Sequence, residues 1–165
     1  MRWFFLTVGY SGLAPKAPGT VGTIVSLPLG VLILAYAGSQ TLFLLTILIS
    51  LIAIKQIDLY ERDSDSHDDK RIVIDELAGM WLALAIAPAI SFSYSEAIDI
   101  SSGIAIQIIL SFIFFRVYDI KKPSIIGRID REAKGGLGVV GDDLLAGVLA
   151  GVSSALSWQL IKLLF

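Results

Sequence analysis

Long stretches without a charged residue alternate with short polar segments along this chain. Asp, Glu, Lys and Arg are absent from 17–54, 77–95, 100–115 and 144–161. A helix in a soluble core needs a polar face, whereas lipid accepts apolar residues on every side of a helix. The pattern therefore predicts an all-α protein, a polytopic integral membrane helical bundle.

The first uncharged stretch is too long for one comfortable span, and Ala-Gly-Ser-Gln at 37–40 interrupts it. A helix on either side of this interruption would extend about 25 Å at 1.5 Å per residue, which is short but sufficient. The remaining stretches add three helices. We therefore expect about five short transmembrane helices, at 22–37, 40–57, 72–88, 102–120 and 142–164.

The distribution of basic residues predicts the orientation of these helices. With five spans, the N-terminus, the polar segment 55–71 and the glycine-rich loop 121–141 fall on one side of the membrane. That side carries all but one of the 13 Lys and Arg residues, the exception being Lys162. By the positive-inside rule it is cytoplasmic. We expect a multi-pass protein of the cell (inner) membrane with cytoplasmic active-site loops, and Trp3 and Phe4 as interfacial anchors.

Composition supports the membrane assignment and narrows the chemistry. The 165 residues suit a single domain over 1–165, and no internal repeat is visible. Charged residues make up 17% and the mean hydropathy is +0.78, outside the soluble range. The absence of Cys excludes disulfides and thiolate ligands. The sequence contains no basic amphipathic helix that would indicate nucleic-acid binding. It leaves the oligomeric state open.

Five acidic residues are predicted at one depth, on the cytoplasmic side. Asp75 and Glu76 begin the third predicted helix, Asp119 ends the fourth, and Asp142 and Asp143 begin the fifth. Acids at the membrane edge are energetically costly, so a functional role is the default interpretation. Complementing helix dipoles is the structural alternative for the four acids at helix starts.

Small residues lie on the same helix face as two of these acids, at intervals of four positions. They are Gly79, Ala83 and Ala87 after Asp75, and Gly147 and Gly151 after Asp143. Helices packed along these stripes would bring their acidic ends together. Carboxylates held close need a cation or shared protons, and an all-oxygen cluster favours Mg²⁺. We predict Asp75, Glu76, Asp142 and Asp143 as metal ligands, with Asp119 as base or additional ligand.

Basic and hydroxyl residues near the acids suit a phosphate. Arg116, Lys122 and Arg131 are expected to clamp phosphate oxygens, although basic residues could also anchor lipid headgroups nonspecifically. Asp119 could instead pair with Arg116 three positions before it. Thr20 and Thr23 are expected to line the site or to cap the first helix.

Three motifs resemble the phosphatidylglycerophosphatase A family: APGTVGT near the N-terminus, IVIDELAGMW at 72–81, and RVYDIKKPSIIGRIDREAKGGLGVVGDDLLAG at 116–147. The resemblance implies a Mg²⁺-dependent membrane phosphatase that converts phosphatidylglycerophosphate to phosphatidylglycerol. The family's acidic and basic positions fall on Asp68, Asp75, Glu76, Arg116, Asp119, Lys122, Asp130, Arg131, Asp142 and Asp143. After Pro123 this chain has Ser124 and Ile125, where the family often has an aromatic residue and a proline.

The predicted function is phosphomonoester hydrolysis of this lipid, with Asp119, Asp75 and Asp143 as catalytic candidates and membrane lipids as the other partners. Two alternatives are another membrane lipid phosphatase or phosphotransferase, and a small transporter with a carboxylate cluster. The sequence leaves open whether water attacks directly or an aspartyl-phosphate forms. It also leaves open the roles of Asp68, Asp130 and His67.

Overall fold

A computed structural model describes residues 1–64, 69–87, 99, 103–123, 126–127 and 135–164. The part of the chain that it describes is all helical, with no strand. The elements are α1 (Arg2–Leu6), a 3₁₀ turn (Ser11–Leu13), α2 (Pro18–Ser64), α3 (Ile74–Ile86), α4 (Gly103–Lys121) and α5 (Gly135–Leu164).

The 47-residue helix α2 is two helices joined at one glycine. Gly38 has φ 81° and ψ 169°, a backbone conformation that is essentially restricted to glycine. The interruption predicted at 37–40 is therefore confirmed. The first half starts earlier than expected, at Pro18, because proline suits the first position of a helix, and the second half extends to Ser64.

Helix α3 is the buried centre of the bundle. Ten of its 13 residues are buried, and it packs mainly against α2 and α5. A helix that is apolar on all sides is typical of a protein core or a membrane span, and the neighbours of α3 are mainly other helices of the protein. Trp81 ties it to α2, since its indole N–H donates to the carbonyl of Ser26 at 2.9 Å. Its ring occupies the space beside Gly30, where a Cβ would lie 2.8 Å from it.

Helices α2, α4 and α5 are long and apolar enough to cross a membrane. In each, only 28% of the most apolar 18-residue window is buried within the protein. Leu44, Leu48 and Leu51, for example, are 65%, 53% and 63% exposed. Apolar surface this extensive marks a membrane-facing protein. Helix α3, at 13 residues, is shorter than the roughly 20 residues that span a bilayer.

Helix α5 begins two turns before the predicted position. We expected Asp142 to start this helix, but it starts at Gly135, so Asp142 and Asp143 lie inside it. The reason is a cap supplied by α2: Asp58 Oδ1 accepts a hydrogen bond from the Gly136 N–H at 2.7 Å. That carboxylate satisfies a donor that the first turn of a helix leaves free. The dipole interpretation of Asp142 and Asp143 is therefore wrong.

The N-terminus packs against the end of α2 and the start of α3. Arg2 forms an ion pair with Asp63 at 2.8 Å. The carbonyl of Leu6 accepts a hydrogen bond from the Val73 N–H at 2.9 Å. Three segments that are distant in sequence thus meet at one end of the bundle.

A cluster of aromatic and charged side chains packs together at this end of the bundle. Trp3 stacks on Tyr60 with ring centroids 5.3 Å apart, and the Arg71 guanidinium lies 5.0 Å from the Trp3 ring. Hydrogen bonds from Arg71 hold the pKa of Asp69 well below its usual range. The Asp69 carboxylate therefore stays ionised at neutral pH. Of the two expected anchors, Phe4 is exposed, whereas Trp3 packs against protein.

Candidate metal and phosphate site

Three carboxylates from three helices converge where α3 begins. Glu76 lies in the first turn of α3, Asp119 in the last turn of α4, and Asp143 two turns inside α5. One oxygen from each lies within 4.8 Å of the other two. Glu76 and Asp143 are buried, and Asp119 is partly buried. This acidic cluster could hold a metal ion.

The convergence depends on the close approach of α3 and α5. A Cβ on Gly79 would lie 2.6 Å from the main-chain carbonyl oxygen of Asp143. A Cβ on Gly147 would overlap the carbonyl of Gly79, and one on Gly151 would lie 2.9 Å from the Ala83 oxygen. All of these distances are shorter than real Cβ contacts. The predicted small-residue stripes are thus confirmed as the contact surface between the two helices.

Arg116 joins two carboxylates to the N-terminal turns of α2. Its Nη1 donates to Glu76 and to Thr23 Oγ1, the latter at 3.2 Å, and lies 2.6 Å from Asp119 Oδ2. Its Nη2 donates to Thr20 Oγ1 at 3.2 Å. The side chain is only 13% exposed, and its Nε is buried without a hydrogen-bond partner. The ion pair with Asp119, an alternative in the sequence, is present.

Residues in the first turns of α2 contact the Glu76 carboxylate. Thr23 Oγ1 lies 3.0 Å from Glu76 Oε2, and Gly19 has no space for a Cβ because Glu76 Oε1 occupies it. The sequence offers capping of the helix as the alternative role of Thr20 and Thr23. That interpretation is wrong, because the helix already begins at Pro18 and both hydroxyls contact site residues.

The remaining two acids have different surroundings. Asp142 Oδ2 lies 2.6 Å from the ammonium nitrogen of Lys122, and the Asp142 side chain is 6% exposed. Asp142 is not part of the converging group of three, although we expected it to be a ligand. Asp75 Oδ1 is buried without a hydrogen-bond partner. Of the four predicted ligands, Glu76 and Asp143 therefore converge, and Asp119 joins them in place of Asp142.

Other predicted residues lie outside the described part of the chain: Arg131, and with it Asp68, Asp130 and His67. Sequence reasoning missed Asp58, which sets the start of α5. The only signal for it is an acid at the polar end of a long apolar helix, and nothing in the sequence links that acid to Gly136, 78 positions away.

The fold and the site together define a membrane-associated helical protein with a buried acidic cluster and a fixed arginine at one end of its bundle. The family model for Phosphatidylglycerophosphatase A matches residues 4–158. The chain therefore belongs to the phosphatidylglycerophosphatase A family, and it is an enzyme, a phosphatase.

Three relatives support the family assignment. Phosphatidylglycerophosphatase A of Escherichia coli (strain K12) is 32% identical over 149 residues, covering 90% of this chain and 78% of the relative. The protein of that name from Haemophilus influenzae is 33% identical, covering 88% and 82%. A putative phosphatidylinositol-3-phosphatase of Bacteroides thetaiotaomicron is 32% identical, covering 84% and 81%. No solved structure matches the chain significantly.

Proposed function

We propose that this protein is a Mg²⁺-dependent lipid phosphatase that hydrolyses the terminal phosphomonoester of phosphatidylglycerophosphate, giving phosphatidylglycerol and phosphate. The observation that carries the proposal is the convergence of Glu76, Asp119 and Asp143 beside Arg116, in a chain of this family. A single membrane phosphatase domain over 1–165 would contain the whole site.

The residues of the cluster fit Mg²⁺. The converging donors are all carboxylate oxygens, which suit a hard cation. Asp75 Oδ1 is buried and has no hydrogen-bond partner, which is also consistent with a cation bound nearby. Bound there, Mg²⁺ would neutralise the charge of the phosphate and activate the attacking water. We assign Glu76, Asp119 and Asp143 as ligands.

We assign Asp75 as the group that accepts the proton of the attacking water. Its position next to Glu76 keeps it beside the ligands, and its Oδ1 has no competing hydrogen-bond donor. A base must be close to the proton that it removes and must not be engaged elsewhere. Asp119, which the sequence also offers as a base, forms an ion pair with Arg116.

Arg116 is better suited to organising the carboxylates than to clamping the phosphate by two parallel bonds. Both of its terminal nitrogens already bond to protein, with Glu76, Asp119 and the two threonines as acceptors. Such supporting contacts fix the orientation of metal ligands. Arg131 and Thr20 remain our proposed substrate-binding groups, and Lys122 contributes positive charge next to Asp142.

We propose that the enzyme is a multi-pass protein of the inner membrane with its site on the cytoplasmic side. Its about five short transmembrane helices would be the two halves of α2, followed by α3, α4 and α5. Support comes from the contacts that gather the N-terminus, the end of α2 and the start of α5 at the acidic end of the bundle. In a chain without Cys, a cysteine at Ser64 should be shielded from external thiol reagents, and one at Asp99 should react. The reverse pattern would contradict this topology.

The substrate is tested by phosphate release from purified protein in lipid nanodiscs. Phosphatidylglycerophosphate and phosphatidylinositol 3-phosphate should be compared in the presence of Mg²⁺, because one relative is named for the second activity. We expect release mainly from phosphatidylglycerophosphate. Preference for the inositol lipid would overturn the proposed substrate, and release from neither would overturn the proposed reaction.

A further inference from the structure

Arg116 links the first half of α2 to the end of α4 beside the acidic cluster. Its Nη2 donates to Thr20 Oγ1 and its Nη1 donates to Thr23 Oγ1, both at 3.2 Å. The two helices run in opposite directions here, because α2 begins close to the cluster and α4 ends close to it. Both helices therefore continue from this contact into the apolar part of the bundle.

The next turn of each helix carries an exposed isoleucine on the edge that holds the contact. Residues three or four positions apart lie on one face of a helix, so Ile24 follows Thr20 and Ile113 lies next to Arg116. Ile24 is 53% exposed and Ile113 is 49% exposed. Because a helical turn rises about 5.4 Å, both lie roughly that far below the bond between Arg116 and Thr20. We call the surface between Ile24 and Ile113 the lateral seam.

Exposure along these two edges falls with distance from the acidic cluster. On α4, Ile109 is still 49% exposed, but Ala105, one turn further, is 4% exposed. On α2, Val31, two turns beyond Ile24, is 8% exposed. The lateral seam is therefore a short apolar opening that starts directly below the site.

The other helix pairs around the cluster are packed more closely. Gly79 and Gly147 bring the backbones of α3 and α5 into direct contact, and Trp81 fills the space beside Gly30 between α3 and α2. In the described part of the chain, α4 packs mainly against α5 and touches α2 only slightly. A molecule that reaches the cluster from within the membrane would therefore meet the least obstruction at the lateral seam.

The chemistry of a lipid phosphomonoester fits this arrangement. Its phosphate suits the polar level of Arg116, Thr20 and a cluster-bound cation. Its acyl chains must stay in apolar surroundings, since each CH₂ group kept out of water contributes about 0.8 kcal/mol. The lateral seam offers such surroundings one helical turn from the phosphate level, and an exposed apolar surface of this kind marks a binding surface.

We propose that the lateral seam is the opening through which the lipid substrate enters from the membrane, with its phosphate at the acidic cluster and one acyl chain against Ile24 and Ile113. The inference rests on the proposed function, because it requires a lipid phosphomonoester as the substrate. It assigns substrate binding to two apolar residues that no charged motif contains. An acyl chain bound there supplies binding free energy far from the reacting phosphate.

Photolabelling tests the location of the acyl chain. Two probes carry a diazirine at the same place in one acyl chain, one with the phosphatidylglycerophosphate headgroup and the other with the phosphatidylcholine headgroup. The full chain with Asp75→Asn, which removes the proposed base but keeps the proposed ligands, is labelled in nanodiscs with Mg²⁺, and mass spectrometry locates the labels. We expect the first probe to label Ile24 and Ile113 several-fold more strongly than the second. At Leu48, on the second half of α2, the two probes should label equally, and equal labelling at the seam as well would overturn the inference.

Kinetics of seam variants give a second test. Ile24→Trp and Ile113→Trp fill the opening, so we expect KM for phosphatidylglycerophosphate in nanodiscs to rise by about tenfold or more. Leu48→Trp is the matched control, because Leu48 is also 53% exposed, and its KM should equal that of the wild type. Binding of Mn²⁺, a paramagnetic ion with similar ligand preferences, is followed by electron paramagnetic resonance and should be unchanged in all three variants.

The outcomes separate this inference from the proposed function. A wild-type KM in both seam variants, or a KM that rises equally in Leu48→Trp, would overturn the inference. Weaker Mn²⁺ binding in the seam variants would also overturn it, since the tryptophan would then act on the cluster and not on the lipid. If Ile113→Trp does not fold, Ile24→Trp and the photolabelling still decide. Absence of phosphate release by the wild type would instead overturn the proposed function, and the inference with it.

Discussion

Gly147 of α5 packs directly against the main-chain carbonyl of Gly79 in α3, leaving no space for a Cβ on either residue. This contact lies one turn below Asp143, which precedes Gly147 by four positions in α5. The distance between the two backbones thus sets the distance between Asp143 and Glu76. The packing of the bundle and the geometry of the acidic cluster are one structural feature.

Enlarging this contact should damage stability and activity together. In Gly147→Ala the new methyl group would push α3 and α5 apart, because its nearest neighbour is rigid backbone. We expect a loss of about 1–3 kcal/mol in the free energy of unfolding. We also expect at least a tenfold loss of phosphate release. Val152→Ala is the matched control, since Val152 on the same helix is 44% exposed. Unchanged stability and activity in Gly147→Ala would contradict the close packing.

Arg116 should not be replaceable by lysine. Lysine keeps the positive charge, but its single ammonium cannot contact Glu76, Asp119 and the two threonines in the geometry of a planar guanidinium. We expect Arg116→Lys to weaken Mn²⁺ binding and phosphate release by about 10- to 100-fold. Lys121→Arg, at an exposed neighbouring position, should leave both unchanged. Full activity in Arg116→Lys would show that charge alone is sufficient.

The hydroxyl of Thr23 should matter more than that of another buried threonine in the same helix. Thr23→Val removes a group 3.0 Å from Glu76 and leaves that carboxylate with fewer donors. Thr46→Val is the matched control, because its hydroxyl donates only to the Leu42 carbonyl within α2. Kinetic measurements should find lower kcat in Thr23→Val and nearly wild-type kcat in Thr46→Val. Equal effects in the two variants would mean that the Thr23 contact has no catalytic consequence.

The cap that α2 supplies to α5 can be removed without touching the site. Asp58→Ala leaves the Gly136 N–H without its acceptor, and loss of a helix cap typically costs about 1 kcal/mol. Amide hydrogen exchange should become faster in the first turn of α5. Asp63→Ala, which removes only a more exposed ion pair with Arg2, should not change exchange there. Protection that is the same in Asp58→Ala and in the wild type would argue against the cap.

Features that depend on local periodicity could be predicted from the sequence. The helix break at 37–40 follows from one glycine, and the packing of α3 on α5 follows from small residues at intervals of four. The placement of Glu76 in a first turn and of Asp119 in a last turn required only the ends of apolar segments. Each of these inferences uses residues within a few turns of one another.

Features that depend on distant partners could not be predicted in this way. The start of α5 is determined by Asp58, 78 positions before Gly136, and Arg116 bonds to Thr20, 96 positions before it. Likewise, the sequence does not show whether the ammonium group of a lysine binds a phosphate or a carboxylate. Only the fold brings Lys122 to Asp142.

The most direct test of the central claim is Mg²⁺-dependent phosphate release from phosphatidylglycerophosphate by the wild type and by Asp143→Asn. Asparagine has almost the same shape as aspartate but cannot supply a charged ligand, so folding should be retained, and circular dichroism checks this. We expect the wild type to release phosphate only when a divalent ion is present, and Asp143→Asn to lose at least about 100-fold of that rate. Equal release by the wild type without divalent ions, or full activity in Asp143→Asn, would contradict the claim that this carboxylate cluster is the metal site of the phosphatase.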